Sequence, residues 1–263
     1  MRRSAPTIVV GIDGSPAALS AATWAAGEAV SREIPLKLVY VVHHLGAAPA
    51  AGDDALRATE TAAGRAALAD AQRAARAAEA DLDVQTELRW GNPLAILIEL
   101  SRSAVMVCVG SAGIEHACHR AGTTAAALAG SAWCPVAVIR GQQLDRRADN
   151  GYIIAEVDTS PDNNLVLRWA LAEAKLRRMP LRVVSCDQPA QVNHLIDHWA
   201  PRYPEVAVEP VSLTGDVADY LADCLAEDSE SVQLFVSGTR DRRSMGWPAA
   251  AGGCSVLTVA GAR

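Results

Sequence analysis

The chain has 263 residues, of which 50% are apolar but only 4% aromatic, and its formal net charge is −6 at pH 7. That length suits about two domains with cores built from aliphatic side chains, and the acidic balance excludes a broad attraction to nucleic acid or to an anionic membrane. No apolar run approaches the roughly 20 residues of a membrane helix, and "MRRSAPTIVVGID" lacks the apolar core and cleavage site of a secretory signal, so a soluble cytoplasmic protein is predicted.

"TIVVGID" is a short β-branched run and reads as the first strand. Ser15 offers an N-cap and Pro16 a first helical residue; Leu19, Thr23, Ala26 and Val30 then recur at helical spacing and predict the buried face. Pro35 closes that connection and "LKLVYVV" is the second strand. "ALRATETAAGRAALADAQRAARAAEA" is a long helix rich in alanine and straight-chain residues, with a weak apolar face that leaves much of it exposed. "LDVQTEL" alternates as a third strand, "NPLAILIELSRSA" is a helix, and "VMVCVG" and "PVAVIR" are the fourth and fifth strands around a helix from Thr123 to Ala132. Strands alternating with helices demand parallel pairing and right-handed crossovers, hence a sheet covered on both faces.

The pattern then recurs. Asp13 and Asp158, Trp24 and Trp169, and Pro35 and Pro180 are each separated by 145 residues. At Cys134 and Cys254 the separation has fallen to 120, so the second copy is shorter, mainly opposite residues 53–80. Its second helical connection is reduced to the region of "AQVNHLIDHW", and Ser160 stands where Ser15 caps the first helix. Both tryptophans are expected to pack on the sheet. The polar stretch "GQQLDRRADNG" separates a first domain, residues 1–143, from a second, residues 150–263. None of the six cysteines forms a Cys-x-x-Cys pair, which argues against a disulfide framework.

In open parallel sheets ligands lie beyond the carboxyl ends of strands. The polar strand ends of the first copy are "GIDGS" and "GSAGIEHACHRAGTT". Gly110 and Gly113 are expected to take backbone conformations closed to other residues and to expose N–H groups. Gly122 permits close approach, and Thr123 and Thr124 bring hydroxyls and free amides at a helix start to an anion; Arg120 adds a positive charge nearby. The Asp13 carboxylate is placed to accept from a ribose hydroxyl or an adenine amino group, and backbone groups around Val41 to meet an adenine edge. No lysine precedes Thr123, so the loop is not a Walker A motif, and "GIDGSP" lacks the third glycine of a dinucleotide fingerprint.

Together "VVGIDGS", "GSAG", "GTT" and "CPVAVIR" resemble the universal stress proteins, and the resemblance covers both halves, as in the tandem kind found in actinobacteria. It implies an α/β fold of two tandem open-twisted five-stranded parallel sheets with helices on both faces, adenine nucleotide alpha hydrolase-like or Rossmann-like. It also implies that the copies pair through "PVAVIR" and "SVLTVA" as an intrachain pseudo-dimer. A site for ATP, with or without Mg²⁺, is implied at Gly11, Asp13, Val41, Gly110, Gly113, Gly122, Thr123 and Thr124. The family's ATP-binding members carry Gly-x-x-Gly, nine residues, then Gly-Ser or Gly-Thr; here eight residues, 114–121, separate Gly113 from Gly122. The second copy departs further. Glu156 replaces Gly11, and no second glycine follows Gly238 until Gly246, so the degenerate second domain is predicted to bind no ATP.

Polar side chains near the loop have plainer readings. Glu115, His116, Cys118 and His119 match no compact zinc spacing, so no metal site is expected. His43 and His44 either line the pocket or simply end the second strand, and Arg240, Arg242 and Arg243 read as a solvated loop. No nucleophile–base pair is evident, which favours an ATP-binding regulatory protein of the stress response over an enzyme, with ATP, an unidentified protein and a second copy of the chain as partners. An interaction module that no longer binds nucleotide is the alternative, and a small hydrolase or kinase a weaker third.

Overall fold

The computed structural model describes residues 6–42, 54–111, 123–140, 151–158, 162–186, 189–227, 232–238 and 254–259. The chain divides into two compact units, Met1–Gly141 and Gln142–Arg263. In the first, the strands are β1 (Thr7–Ile12), β2 (Leu36–Val42), β3 (Val84–Trp90), β4 (Ala104–Gly110) and β5 (Val136–Ile139), and the helices are α1 (Pro16–Ser31), α2 (Asp54–Ala78), α3 (Pro93–Ser101) and α4 (Thr123–Ser131). All four strand pairs are parallel, in the order β3-β2-β1-β4-β5. The winding direction therefore reverses between β1 and β4, the switch point at which a doubly wound sheet opens a crevice. The second unit holds β6 (Tyr152–Glu156), β7 (Leu181–Ser185), β8 (Val208–Ser212), β9 (Val232–Gly238) and β10 (Ser255–Val259), with α5 (Asn163–Arg177), α6 (Pro189–Trp199) and α7 (Val217–Glu227). Its order, β8-β7-β6-β9-β10, repeats the first and is again parallel. Each unit is an α/β sheet covered by helices on both faces.

The central strands are apolar on both sides because both sides are covered: Ile8, Val9 and Val10 of β1, and Met106, Val107 and Cys108 of β4, are buried. The edge strand β3 leaves Gln85 and Thr86 exposed. In α1, Ser15 accepts a hydrogen bond from the Ala18 N–H at 3.1 Å and Pro16 opens the helix, as its sequence predicts. Its buried face is not the predicted one. Ala18, Ala21, Ala22, Ala25 and Ala29 are buried with Trp24 and Ala26, whereas Leu19 and Thr23 are half-buried and Val30 is 44% exposed. The helix packs against both the sheet and α2, and methyl-sized side chains let it approach both closely; the longer residues fall to the margins of that double contact.

Helix α2 buries one narrow stripe of Gly64, Leu68, Ala71 and Ala75. A Cβ on Gly64 would stand 2.7 Å from the Tyr40 ring and 3.0 Å from Leu88 Cδ1, so the helix backbone rests directly on β2 and β3 near their carboxyl ends. The ten residues before Gly64 add about 15 Å of helix at 1.5 Å per residue, and the strands run two residues, about 7 Å, beyond Tyr40 and Leu88, so the first turns of α2 rise about 8 Å past the end of the sheet. The corresponding helix of the second unit, α6, has 11 residues against 25 in α2.

Two features are shared at the 145-residue spacing. Glu28 and Glu173, 1% and 0% exposed, each pair with an arginine one turn later, Arg32 and Arg177. One residue beyond each of those arginines, Glu33 and Arg178 take left-handed conformations, with φ of 54° and 55°. The helix starts differ. Helix α5 begins after Asp162, which makes no side-chain capping bond; Ser160 lies outside the described residues. The Asn163 amide brackets the backbone of Asp158, accepting from its N–H at 3.2 Å and donating to its carbonyl. Trp24 is buried and Trp169 half-buried.

Candidate nucleotide site

Strands β1 and β4 end side by side, with Gly11 in register with Val109. Past the end of β1 the chain turns sharply. Asp13 Oδ1 accepts from the Ser15 N–H at 2.9 Å, and Gly14 sits at φ +86°, a conformation that favours glycine. This spends one Asp13 oxygen on the turn and leaves the exposed Oδ2 without a partner among the described residues.

The reason for glycine at 110 is contact. A Cβ there would lie 2.4 Å from the Ala17 carbonyl carbon and 2.6 Å from the Ala18 nitrogen. The first turn of α1 sits on the last residue of β4, and only a hydrogen atom fits between them. Gly110 does not adopt a positive φ, which corrects the expectation of a conformation closed to other residues. At Gly11 a Cβ would meet Leu97 Cδ1 at 3.2 Å and Val109 Cγ1 at 3.3 Å, so that glycine lets α3 pack on the strand.

On the other side, Ile12 and Tyr40 form the last rung between β1 and β2. The Val42 carbonyl accepts from the Gly91 N–H at 3.1 Å, on the β3 side. Strand alternation therefore turns the Val41 carbonyl toward β1, beyond the final rung. Asp13 and Val41 thus flank one opening. Helix α4 begins at Thr123, and because it leads into the amino end of β5 its first residues lie at the carboxyl end of the sheet; Thr124 is exposed there. Gly113 and Gly122 lie outside the described residues, as do Arg120, His43, His44 and residues 115–119.

The positive charge in register with Val41 belongs to Arg89, but it is committed to Glu87, which also meets Lys37 at 3.4 Å. Burial pushes the Glu87 carboxyl up, but Arg89 and Lys37 outweigh it and hold the group below its ordinary value.

The family profile described as "Universal stress protein family" matches residues 5–140. A universal stress protein of Mycobacterium tuberculosis is 40% identical over 275 aligned residues, spanning 98% of this chain and 97% of its own. A second from the same species is 39% identical over 267 residues, covering 97% and 94%. The chain belongs to the universal stress protein family. Among solved structures, that of a universal stress protein from Archaeoglobus fulgidus superposes with a TM-score of 0.75 over 97% of this chain and 98% of its own, at 12% identity, a likeness of fold.

Within this universal stress protein the second unit keeps the strand order and loses the junction. Glu156 occupies the position of Gly11, half-buried at the end of β6. A Cβ on Gly238, which ends β9 as Gly110 ends β4, would find Val166 Cγ2 at an ordinary 3.7 Å, so the start of α5 meets that strand through a side chain and leaves room for a Cβ. Sequence reasoning missed three residues beside the first site. Gly14 was legible in the turn signature "DGSP". Trp90, 43% exposed at the end of β3, and Arg57, whose guanidinium carbon lies 5.6 Å from the Trp90 ring centre, were signalled only by an aromatic residue just before the turn "GNP".

Proposed function

We propose that the first unit binds ATP at the carboxyl ends of β1, β2 and β4, and that the second unit binds none. The observation that carries this reading is the pair of unspent acceptors flanking one opening. The free Asp13 oxygen suits a ribose hydroxyl, and the Val41 carbonyl suits the 6-amino group of adenine. The triphosphate would then run toward Gly110 and the start of α4, where Thr123 and Thr124 offer hydroxyls and end-of-helix amides, with Gly113 and Gly122 completing the loop. Any Mg²⁺ would arrive on the phosphates, whose oxygens suit it; among the described residues no acidic or histidine cluster could hold it.

Seating a triphosphate there would tie the first turn of α4 to the ends of β1 and β4. We read the protein as a regulatory component of the stress response in the cytoplasm, working alone or as a dimer of chains, whose protein partner distinguishes the occupied surface from the empty one. A ligand shifts such a balance only through its differential affinity for the two states. No base or nucleophile stands near the described part of the site, so turnover is not the function proposed. The eight-residue spacing between Gly113 and Gly122 favours the rival reading of a nucleotide-independent interaction module. A crystal structure with ATP separates the two. The proposal expects the ribose on Asp13 and the phosphates over Gly110, and a crevice empty at millimolar ATP leaves the rival.

A further inference from the structure

The nucleotide reading leaves the Arg57–Trp90 pair unexplained. Trp90 closes β3 in register with Val42, one residue from the carbonyl assigned to the base. Its ring is 43% exposed although it stands in the first unit's sheet, and Arg57 lies over it at 5.6 Å. Arg57 belongs to the part of α2 that rises past the sheet, two turns before Gly64 on the same stripe. Its Nε is shielded from solvent and has no hydrogen-bond partner among the described residues. A buried donor left unspent is costly, and an exposed indole beside it is apolar area uncovered. Both features occur at the end of the sheet beside the opening, and the corresponding helix of the second unit, α6, has 11 residues against 25 in α2.

We infer that the overhanging turns of α2 and the end of β3 form the base-end wall of the site: Trp90 packs against the purine ring, and Arg57 donates to its ring-nitrogen acceptors. The inference rests on the nucleotide reading and deepens it by assigning selectivity for a purine base to two residues outside the phosphate loop. Val41 and Asp13 hold the base edge and sugar from the β1 side; Trp90 and Arg57 close the opposite side.

The test compares ATP with inorganic tripolyphosphate, which has the phosphates without base or sugar. Each is titrated into the full-length protein and into Arg57→Ala, Trp90→Ala and Trp90→Phe variants whose thermal unfolding has been checked. Arg57→Ala and Trp90→Ala are expected to weaken ATP about tenfold or more, the scale of losing a base–aromatic contact or its cationic partner, and to leave tripolyphosphate unchanged. ATP is expected to quench indole fluorescence in the parent, and Trp90→Phe should keep most of the ATP affinity yet lose that quenching. Parent-level ATP binding by both alanine variants, with quenching intact in Trp90→Phe, overturns the wall and leaves the nucleotide site standing. Failure of the parent protein to bind ATP at all overturns both.

Discussion

At Gly110 the space a side chain would need is filled by the backbone of another element. Replacing it with alanine forces α1 off the end of β4, because the Ala17 carbonyl carbon, 2.4 Å from the new Cβ, cannot swing aside as a flexible side chain would. Gly110→Ala is expected to cost about 1–3 kcal/mol, read as a lower urea midpoint, with ATP binding reduced in the same variant. Glu33 and Arg178 present the opposite case, since each holds a left-handed conformation that suits glycine. Glu33→Gly and Arg178→Gly should each stabilise the protein by about 0.5 kcal/mol, the relieved backbone strain outweighing the extra freedom of the unfolded chain; thermal unfolding checks the sign. Asp13, Val41 and Gly110 could be picked out in the sequence because strand ends in a parallel sheet are predictable positions. The cause of glycine at 110 could not, because the atoms that exclude a side chain belong to residues 17 and 18, some 90 positions away in the chain.

Among the elements, α1 shows where periodicity misleads. Spacing picked out Leu19, Thr23, Ala26 and Val30, but a helix wedged between a sheet and a second helix buries more than half its circumference, and there alanines mark the closest contacts. The long helix was easier to read: its weak apolar face became one buried stripe, with the rest of its described side chains half-buried or exposed. The buried pairs near the ends of α1 and α5 went unnoticed, because a Glu and an Arg four apart look like a solvated helix face until burial is known. Removing the arginine leaves a carboxylate in the core, so Arg32→Ala and Arg177→Ala should each cost about 2–4 kcal/mol in chemical unfolding. The second should cost more, because Arg177 is 10% exposed against 20% for Arg32. On β2 and β3 the Glu87 carboxyl lies below its ordinary 4.5, so its pairing with Arg89 and Lys37 stabilises the fold above that pH and is lost as pH falls through the folded-state value. Glu87→Gln should lower stability by about 0.5 kcal/mol at pH 7, a difference that closes on acidification in parallel melts.

Across the whole molecule, the two copies share the elements that build the sheet and differ at the carboxyl ends of its strands. The 145-residue spacing holds through β1, α1 and β2 and their counterparts, carrying the buried ion pairs and the left-handed residues with it. The changes fall at the carboxyl ends of the strands: glutamate for Gly11, ordinary space around Gly238, an asparagine clamp on Asp158, and a helix of 11 residues in place of 25. The repeat, the strand order and the asymmetry between copies were legible because they reside in spacing and in glycine positions. The Arg57–Trp90 pair was not, because it depends on how far a helix outruns a sheet, a length that sequence periodicity leaves open. The central claim is one nucleotide per chain, held in the first unit. Calorimetric titration of the full-length protein with ATP and Mg²⁺ tests it most directly. It should give a stoichiometry of one that disappears in Asp13→Ala and persists in Asp158→Ala, whereas two sites per chain, or no heat at millimolar ATP, would contradict it.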